Sequence, residues 1–194
     1  AAGTVKAVVL GGNSRVFSGG FELSVFASGD AAAGLGMLTG GFELSIRALS
    51  FPAPIVMAAT GPAIAMGSFL LLSGDHRVGS EKSRCQANEV AIGMTLPVAA
   101  IEIMRARLTR AAFSRAVSVA ATFSGEAAIA AGWLDEIVER DEVLARAQAV
   151  AAEYAATLHL KAHVASKLKA RVSAIADNQA GIDGLGAEYA LTLK

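Results

Sequence analysis

The chain is poor in several things, and each shortage excludes something. One cysteine, Cys85, stands in 194 residues, so no disulfide forms within the chain and no cysteine cluster holds a metal. A lone thiol suits a reducing compartment, and the cytoplasm is the expected location. Aromatic residues make up 6% and charged residues 18%, with Lys+Arg and Asp+Glu balanced at 17 each. Neither a basic face nor a stacking platform for nucleic acid is expected from that balance. No apolar run reaches the roughly 20 residues of a membrane span. His76 has no second ligand at metal-binding spacing and reads as structural, so no metal is expected. Cys85 has no activating neighbour in sequence and reads as a packed thiol.

What the chain has is apolar bulk. Hydrophobic residues make up 54%, enough for one domain with a large core and for buried contacts between subunits. It opens at Ala1 rather than Met, which leaves room for a preceding segment. The stretch from Pro54 to Asp75 organises the rest. Ile55–Ala59 is a buried strand, Gly61 and Pro62 break it, Ala63–Gly67 is a small-residue turn, and Phe69–Leu72 opens a helix. A strand that feeds a helix start leaves backbone N–H groups free to hold a phosphate, a carboxylate or a developing oxyanion.

Around this stretch the pattern predicts strands at Val5–Leu10, His76–Gly79 and Trp133–Val138. It predicts a glycine-centred loop from Val16 to Leu23 entering a short helix, a small-residue loop over Gly29–Gly36, and a helix over Met37–Leu49. Helices follow over Pro97–Leu108, over Arg110–Ala121 behind Thr109, over Ala127–Ala131 behind Ser124, over Glu142–Leu158 behind Asp141, and over Val164–Asp177 and Ile182–Leu191. Alternating strand and helix in the first two thirds predicts an α/β core with parallel strands. The hexapeptide GGFELS occurs at Gly19–Ser24 and at Gly40–Ser45. Its flanks do not match, so no structural repeat is read from it.

Four segments in order resemble the crotonase (enoyl-CoA hydratase/isomerase) superfamily. They are Phe17-Ser18-Gly19-Gly20-Phe21-Glu22-Leu23, the Pro54 to Asp75 stretch, Ala87-Asn88-Glu89-Val90-Ala91-Ile92-Gly93 followed by Pro97, and Ala130-Ala131-Gly132-Trp133-Leu134-Asp135-Glu136-Ile137-Val138. The resemblance implies a crotonase-like α/β fold, a ββα spiral core over residues 1–138 whose N-terminal part is absent from this chain. It implies a helical region over 139–194 that packs on the core and on neighbouring subunits of a trimer or hexamer. It also implies an acyl-CoA thioester substrate and no separate cofactor, coenzyme A being part of the substrate.

Carried over residue by residue, the resemblance places the two N–H groups that bind the thioester oxygen on Phe21 and Met66. Phe17, Ser18, Gly19 and Gly20 fall in the loop that contacts CoA, and Gly67 permits close approach of the thioester. A basic residue of the C-terminal helices, Lys167 or Lys169, is a candidate for the CoA phosphates. Of the two glutamates used by hydratases of the family, one falls on Glu89. The other falls on Phe69, which cannot transfer a proton. Hydration divides its work between two acids, whereas moving a proton from C2 to C4 needs one. Glu89 alone therefore fits double-bond isomerisation at least as well as hydration, the reaction for which the family is named. A non-catalytic acyl-CoA binder and a purely structural subunit are the readings from other classes.

Overall fold

The computed structural model describes residues 5–192. Ala1, on which the expectation of a preceding segment rests, and the outer ends of the two expected regions lie outside them.

Four parallel strands form the main sheet, in the order β1 (Val8–Gly11), β2 (Ile55–Ala58), β4 (His76–Gly79) and β6 (Glu136–Ile137). A second parallel pair, β3 (Ala63–Ile64) and β5 (Cys85–Gln86), stands at the C-terminal side of β2. Nine helices are described: α1 (Leu23–Ala27), α2 (Ala31–Ser50), α3 (Met66–Leu72), α4 (Val98–Arg107), α5 (Arg110–Val119), α6 (Gly125–Ala131), α7 (Val143–Thr157), α8 (Leu160–Ala170) and α9 (Val172–Thr192). β2 is buried along its whole length, and its alternating side chains serve two cores. Val56 and Ala58 pack with Val78 against Val143, Ala147 and Val150 of α7. Ile55, Met57 and Ala59 face the larger core, with Phe42 of α2, Phe69 and Leu72 of α3, and Met104 of α4. A strand covered on both faces reads as an unbroken apolar run.

Several boundaries differ from the sequence reading, each for a local reason. The small-residue loop over Gly29–Gly36 is instead the first turns of α2. Asp30 caps it by accepting from Ala33 N at 3.0 Å, and three alanines follow. The C-terminal helices divide at Arg171, not between Asp177 and Ile182. Arg171 leaves helical geometry at φ −106°, and its guanidinium reaches Leu49 O and Asp75 instead. Asp141 lies inside a 3-10 turn and does not cap α7. The Trp133–Val138 strand shrinks to Glu136–Ile137, because Trp133 and Leu134 turn fully inward.

Asp75 ties these layers together. One carboxylate oxygen accepts from Ile55 N at 2.8 Å and from Lys167 Nζ at 2.6 Å, and the other meets Arg171 Nη2 at 2.8 Å. It thus joins the start of β2, the start of β4 and the two C-terminal helices. Lys167 is enclosed here, with its side chain 3% exposed and a further bond to Ala53 O. That corrects the reading of Lys167 as a residue free to reach CoA phosphates; Lys169 is exposed. His76 and Cys85 are structural as expected. His76 Nδ1 bonds the Tyr154 hydroxyl at 3.2 Å, and burial pushes the Cys85 thiol up to about 12. Removing one partner of a buried charge cluster strands the others. Asp75→Ala is expected to lose about 3–5 kcal/mol of stability, read by urea unfolding.

Candidate functional site

The first three sequence segments of interest meet at the C-terminal end of β2. The Phe17–Gly20 loop runs along the chain from Pro62 to Met66. Phe17 N and Ser18 N both donate to Pro62 O, at 3.0 and 3.2 Å, and Ile64 N donates back to Ser18 O at 3.0 Å. Gly20 then turns with φ +97°, a conformation open to glycine. A Cβ on Gly20 would stand 3.0 Å from Ala65 Cβ and 3.5 Å from Met66 N. The Gly20–Phe21 turn therefore sits beside the first residue of α3. Gly67 has a related duty: a Cβ there would come within 2.5 Å of Ser18 O and 2.6 Å of Ser18 Cβ. What approaches Gly67 most closely is the loop itself.

Ala65, between β3 and α3, is held at φ +49°, ψ −127°. A non-glycine residue there carries roughly 1–3 kcal/mol of backbone strain. Ala65 N donates to Gln86 O at 2.9 Å, and Ala65 O accepts from Ser68 N at 2.8 Å. The residue is thus pinned from the β5 side and from within α3. Among the described residues, neither Met66 N nor Phe21 N donates to a protein acceptor. Two unbonded N–H groups thus lie on neighbouring segments at a helix start, where the helix dipole favours negative charge.

The β3–β5 ladder pairs Ile64 with Gln86, which brings the segment carrying Glu89 to the same place. Glu89 opens a 3-10 turn, and its carbonyl accepts from Ile92 N at 3.0 Å and Met94 N at 2.9 Å. The side chain is buried, 7% exposed. Carboxylate oxygen Oε2 has no hydrogen-bond partner among the described residues. Burial, with no cation to offset it, pushes the carboxyl up to about 7. Phe69 of α3 is buried, stacked on Phe42 of α2 with ring centroids 6.1 Å apart. Glu22 caps α1 by accepting from Ser24 N, and Glu43 is exposed.

The structure thus brings together Phe17, Ser18, Gly20, Phe21, Met66 and Gly67, and Glu89 stands in the turn three residues after Gln86, the β5 partner of Ile64. Gly19 is exposed at the loop tip with nothing within 4 Å of a Cβ. Three neighbours were missed in sequence. Asn88 has a buried Oδ1 with no hydrogen-bond partner among the described residues, and it directly precedes Glu89. Gly41 and Phe42 of α2 contact Phe21.

The family model for enoyl-CoA hydratase/isomerase matches residues 2–191. The chain belongs to that family and carries the crotonase-like α/β fold. A crystal structure of a Mycobacterium tuberculosis protein described as an enoyl-CoA hydratase is 54% identical and superposes with a TM-score of 0.94, over 96% of this chain and 78% of that one. A second structure of that same protein, described as an apo enoyl-CoA isomerase, is 53% identical with a TM-score of 0.90, over 94% and 79%. The human mitochondrial delta3-delta2-enoyl-CoA isomerase shares the fold at 22% identity and a TM-score of 0.81, over 97% and 79%. Curated relatives bearing enoyl-CoA hydratase names in Thermus thermophilus and Mycobacterium avium are each 30% identical, over 78% and 88% of this chain. The chain spans 60% and 65% of their lengths.

The raised Glu89 carboxyl has a consequence for stability. Unfolded, the group titrates near 4.5; folded, near 7. Between those values the folded state holds more protons, so its stability is full below about 4.5 and is lost as pH rises through 7. Glu89→Gln removes that loss. From pH 4 to pH 8 the stability difference between variant and parent is expected to widen in the variant's favour by about 3 kcal/mol. Urea unfolding at both pH values reads it, and a difference that stays flat would deny the buried, uncompensated carboxyl.

Proposed function

We propose that this chain is the acyl-thioester-handling part of an enzyme that moves a double bond in an enoyl-CoA, with Glu89 as the single proton carrier. The observation behind this is that Glu89 is the one carboxylate of the described residues that is buried, while Phe69 occupies the position where the family resemblance sets a second acid. In this reading the thioester oxygen of a 3-enoyl-CoA lies against Phe21 N–H and Met66 N–H. The Glu89 carboxylate takes a proton from C2, and the electron pair moves through the dienolate onto the thioester oxygen. Two preorganised donors stabilise that charge, each by about 3 kcal/mol where water is excluded. The Glu89 carboxylic acid then returns the proton at C4, and the double bond moves from C3–C4 to C2–C3. A carboxyl near 7 suits both halves, since it is neither too weak a base nor too weak an acid at neutral pH.

The Phe17–Gly20 loop would contact the CoA portion, with Gly19 open to it, and Gly67 and Phe69 would border the acyl end. Hydration of a 2-enoyl-CoA is the second reading, favoured by the hydratase names of the similar proteins. The two separate on purified protein offered 3-enoyl-CoA and 2-enoyl-CoA. Conversion of the 3-enoyl thioester is expected, with Glu89→Gln slower by at least 100-fold. Turnover that survives this substitution would take Glu89 out of the mechanism, and tight acyl-CoA binding with no turnover would make the protein a binder. Assembly as a trimer or hexamer through the helical region 139–194 belongs to the same proposal. Light scattering on the eluting protein is expected to give three or six copies, and a monomer would count against it.

A further inference from the structure

We infer that Gly41, in the middle of α2, is a positioning residue for the Phe21 amide: its missing side chain is the seat on which the Phe21 ring rests. The inference builds on the proposed role of Phe21 and Met66 at the thioester oxygen. A Cβ on Gly41 would stand 2.5 and 2.6 Å from Phe21 Cε1 and Cζ, and 3.2 Å from Met66 Sδ. The two residues whose amides are assigned to the oxyanion therefore lean their side chains on the same point of α2.

The Phe21 ring is half-buried and flanked by two other rings. Phe26 meets it edge-on at 6.2 Å and 88°, and Phe42 does so at 6.4 Å and 69°. Phe42 is itself buried and stacked on Phe69, and Phe26 lies against Tyr189 of α9. Where rings are held against one another, a displacement of one is passed in part to its neighbours. An alanine at position 41 must push the ring, and the ring's Cα carries the amide. On the other side the Gly20 turn runs beside the Ala65–Met66 segment, where an added Cβ on Gly20 would stand 3.0 Å from Ala65 Cβ and 3.5 Å from Met66 N. The displacement thus passes to the N–H, which in an oxyanion site loses effect with small misplacement. The next glycine along gives an internal control. A Cβ on Gly40 would meet nothing within 4 Å, so Gly40→Ala changes the helix propensity alone.

The test compares the parent with Gly40→Ala, Gly41→Ala, and the double variant Phe21→Leu with Gly41→Ala. Leucine lacks the two ring atoms that collide. Steady-state turnover of 3-enoyl-CoA is expected to fall at least tenfold in kcat for Gly41→Ala, with KM changing less, because the donor acts on charge that develops in the transition state. The double variant is expected to recover most of the loss, and Gly40→Ala to match the parent. Parental kcat in Gly41→Ala, or a loss that Phe21→Leu does not relieve, overturns the inference. Should Gly41→Ala not fold, the double variant decides alone: folded and active supports the seat, unfolded or inactive overturns it. Should the parent turn nothing over, the proposed reaction falls by itself. Acyl-CoA affinity by calorimetry then reads the same comparison, with at least tenfold weaker binding in Gly41→Ala restored in the double variant as the supporting result and unchanged affinity as the overturning one. A parent that neither reacts with acyl-CoA nor binds it removes both.

Discussion

The candidate site depends on the seam where the Phe17–Gly20 loop lies along Pro62–Met66. Three backbone hydrogen bonds cross it, and no side-chain chemistry is needed to form them. What it needs is an absence of side chains: Gly67 under Ser18, and Gly20 turning against Ala65. Backbone-to-backbone contact at that distance leaves the Phe21 and Met66 amides without protein acceptors, and such groups are usually satisfied. An exposed peptide turn would lend them to water. Here the strained Ala65, pinned to Gln86, holds them in place, so local strain and free donors occur at the same point.

Two acidic residues show how the fold divides stability from chemistry. Asp75, at the base of the sheet, has two cations and an amide around it, and it locks strands to helices. Glu89 lies beyond β5, which pairs with β3 past the opposite end of β2; it is buried with no cation and with one oxygen unbonded. Burial without a partner lowers stability above the group's ordinary titration range, but it also brings the carboxyl near neutrality. The first arrangement maximises attachment, and the second leaves a proton free to move.

Much of this was legible in sequence because it rests on strong local signals. The β2 strand, the Gly-Pro break after it and β4 follow from apolar runs and breakers, and the family follows from ordered motifs. What was not legible depended on long-range contacts. The start of α2 looks like a loop by composition, since glycines punctuate it, but Asp30 caps it and Gly34 packs closely under Tyr189. The division at Arg171 is set by carbonyls and a carboxylate more than 90 residues away. GGFELS is the sharpest case. At Gly19–Ser24 it forms a turn and a helix start, and at Gly40–Ser45 it is mid-helix. The same six residues take two conformations, and the two copies then pack on each other through Phe21, Gly41 and Phe42.

That packing also gives a physical reason for the phenylalanine at position 69. Its ring stacks on Phe42, Phe42 meets Phe21, Phe21 meets Phe26, and Phe26 lies against Tyr189. This line of rings joins α3, α2, α1 and α9, and Phe69 at its end is 1% exposed. A carboxylate in that place would be buried against an aromatic face, at a cost of several kcal/mol unless it stayed protonated. Burial of a phenylalanine there contributes about 1.5–3 kcal/mol in the opposite direction. Phe69 therefore closes the line of rings that runs through Phe42 to Phe21. The helix packing thus fills position 69 with a ring, and Glu89 is left as the one buried carboxyl among the described residues.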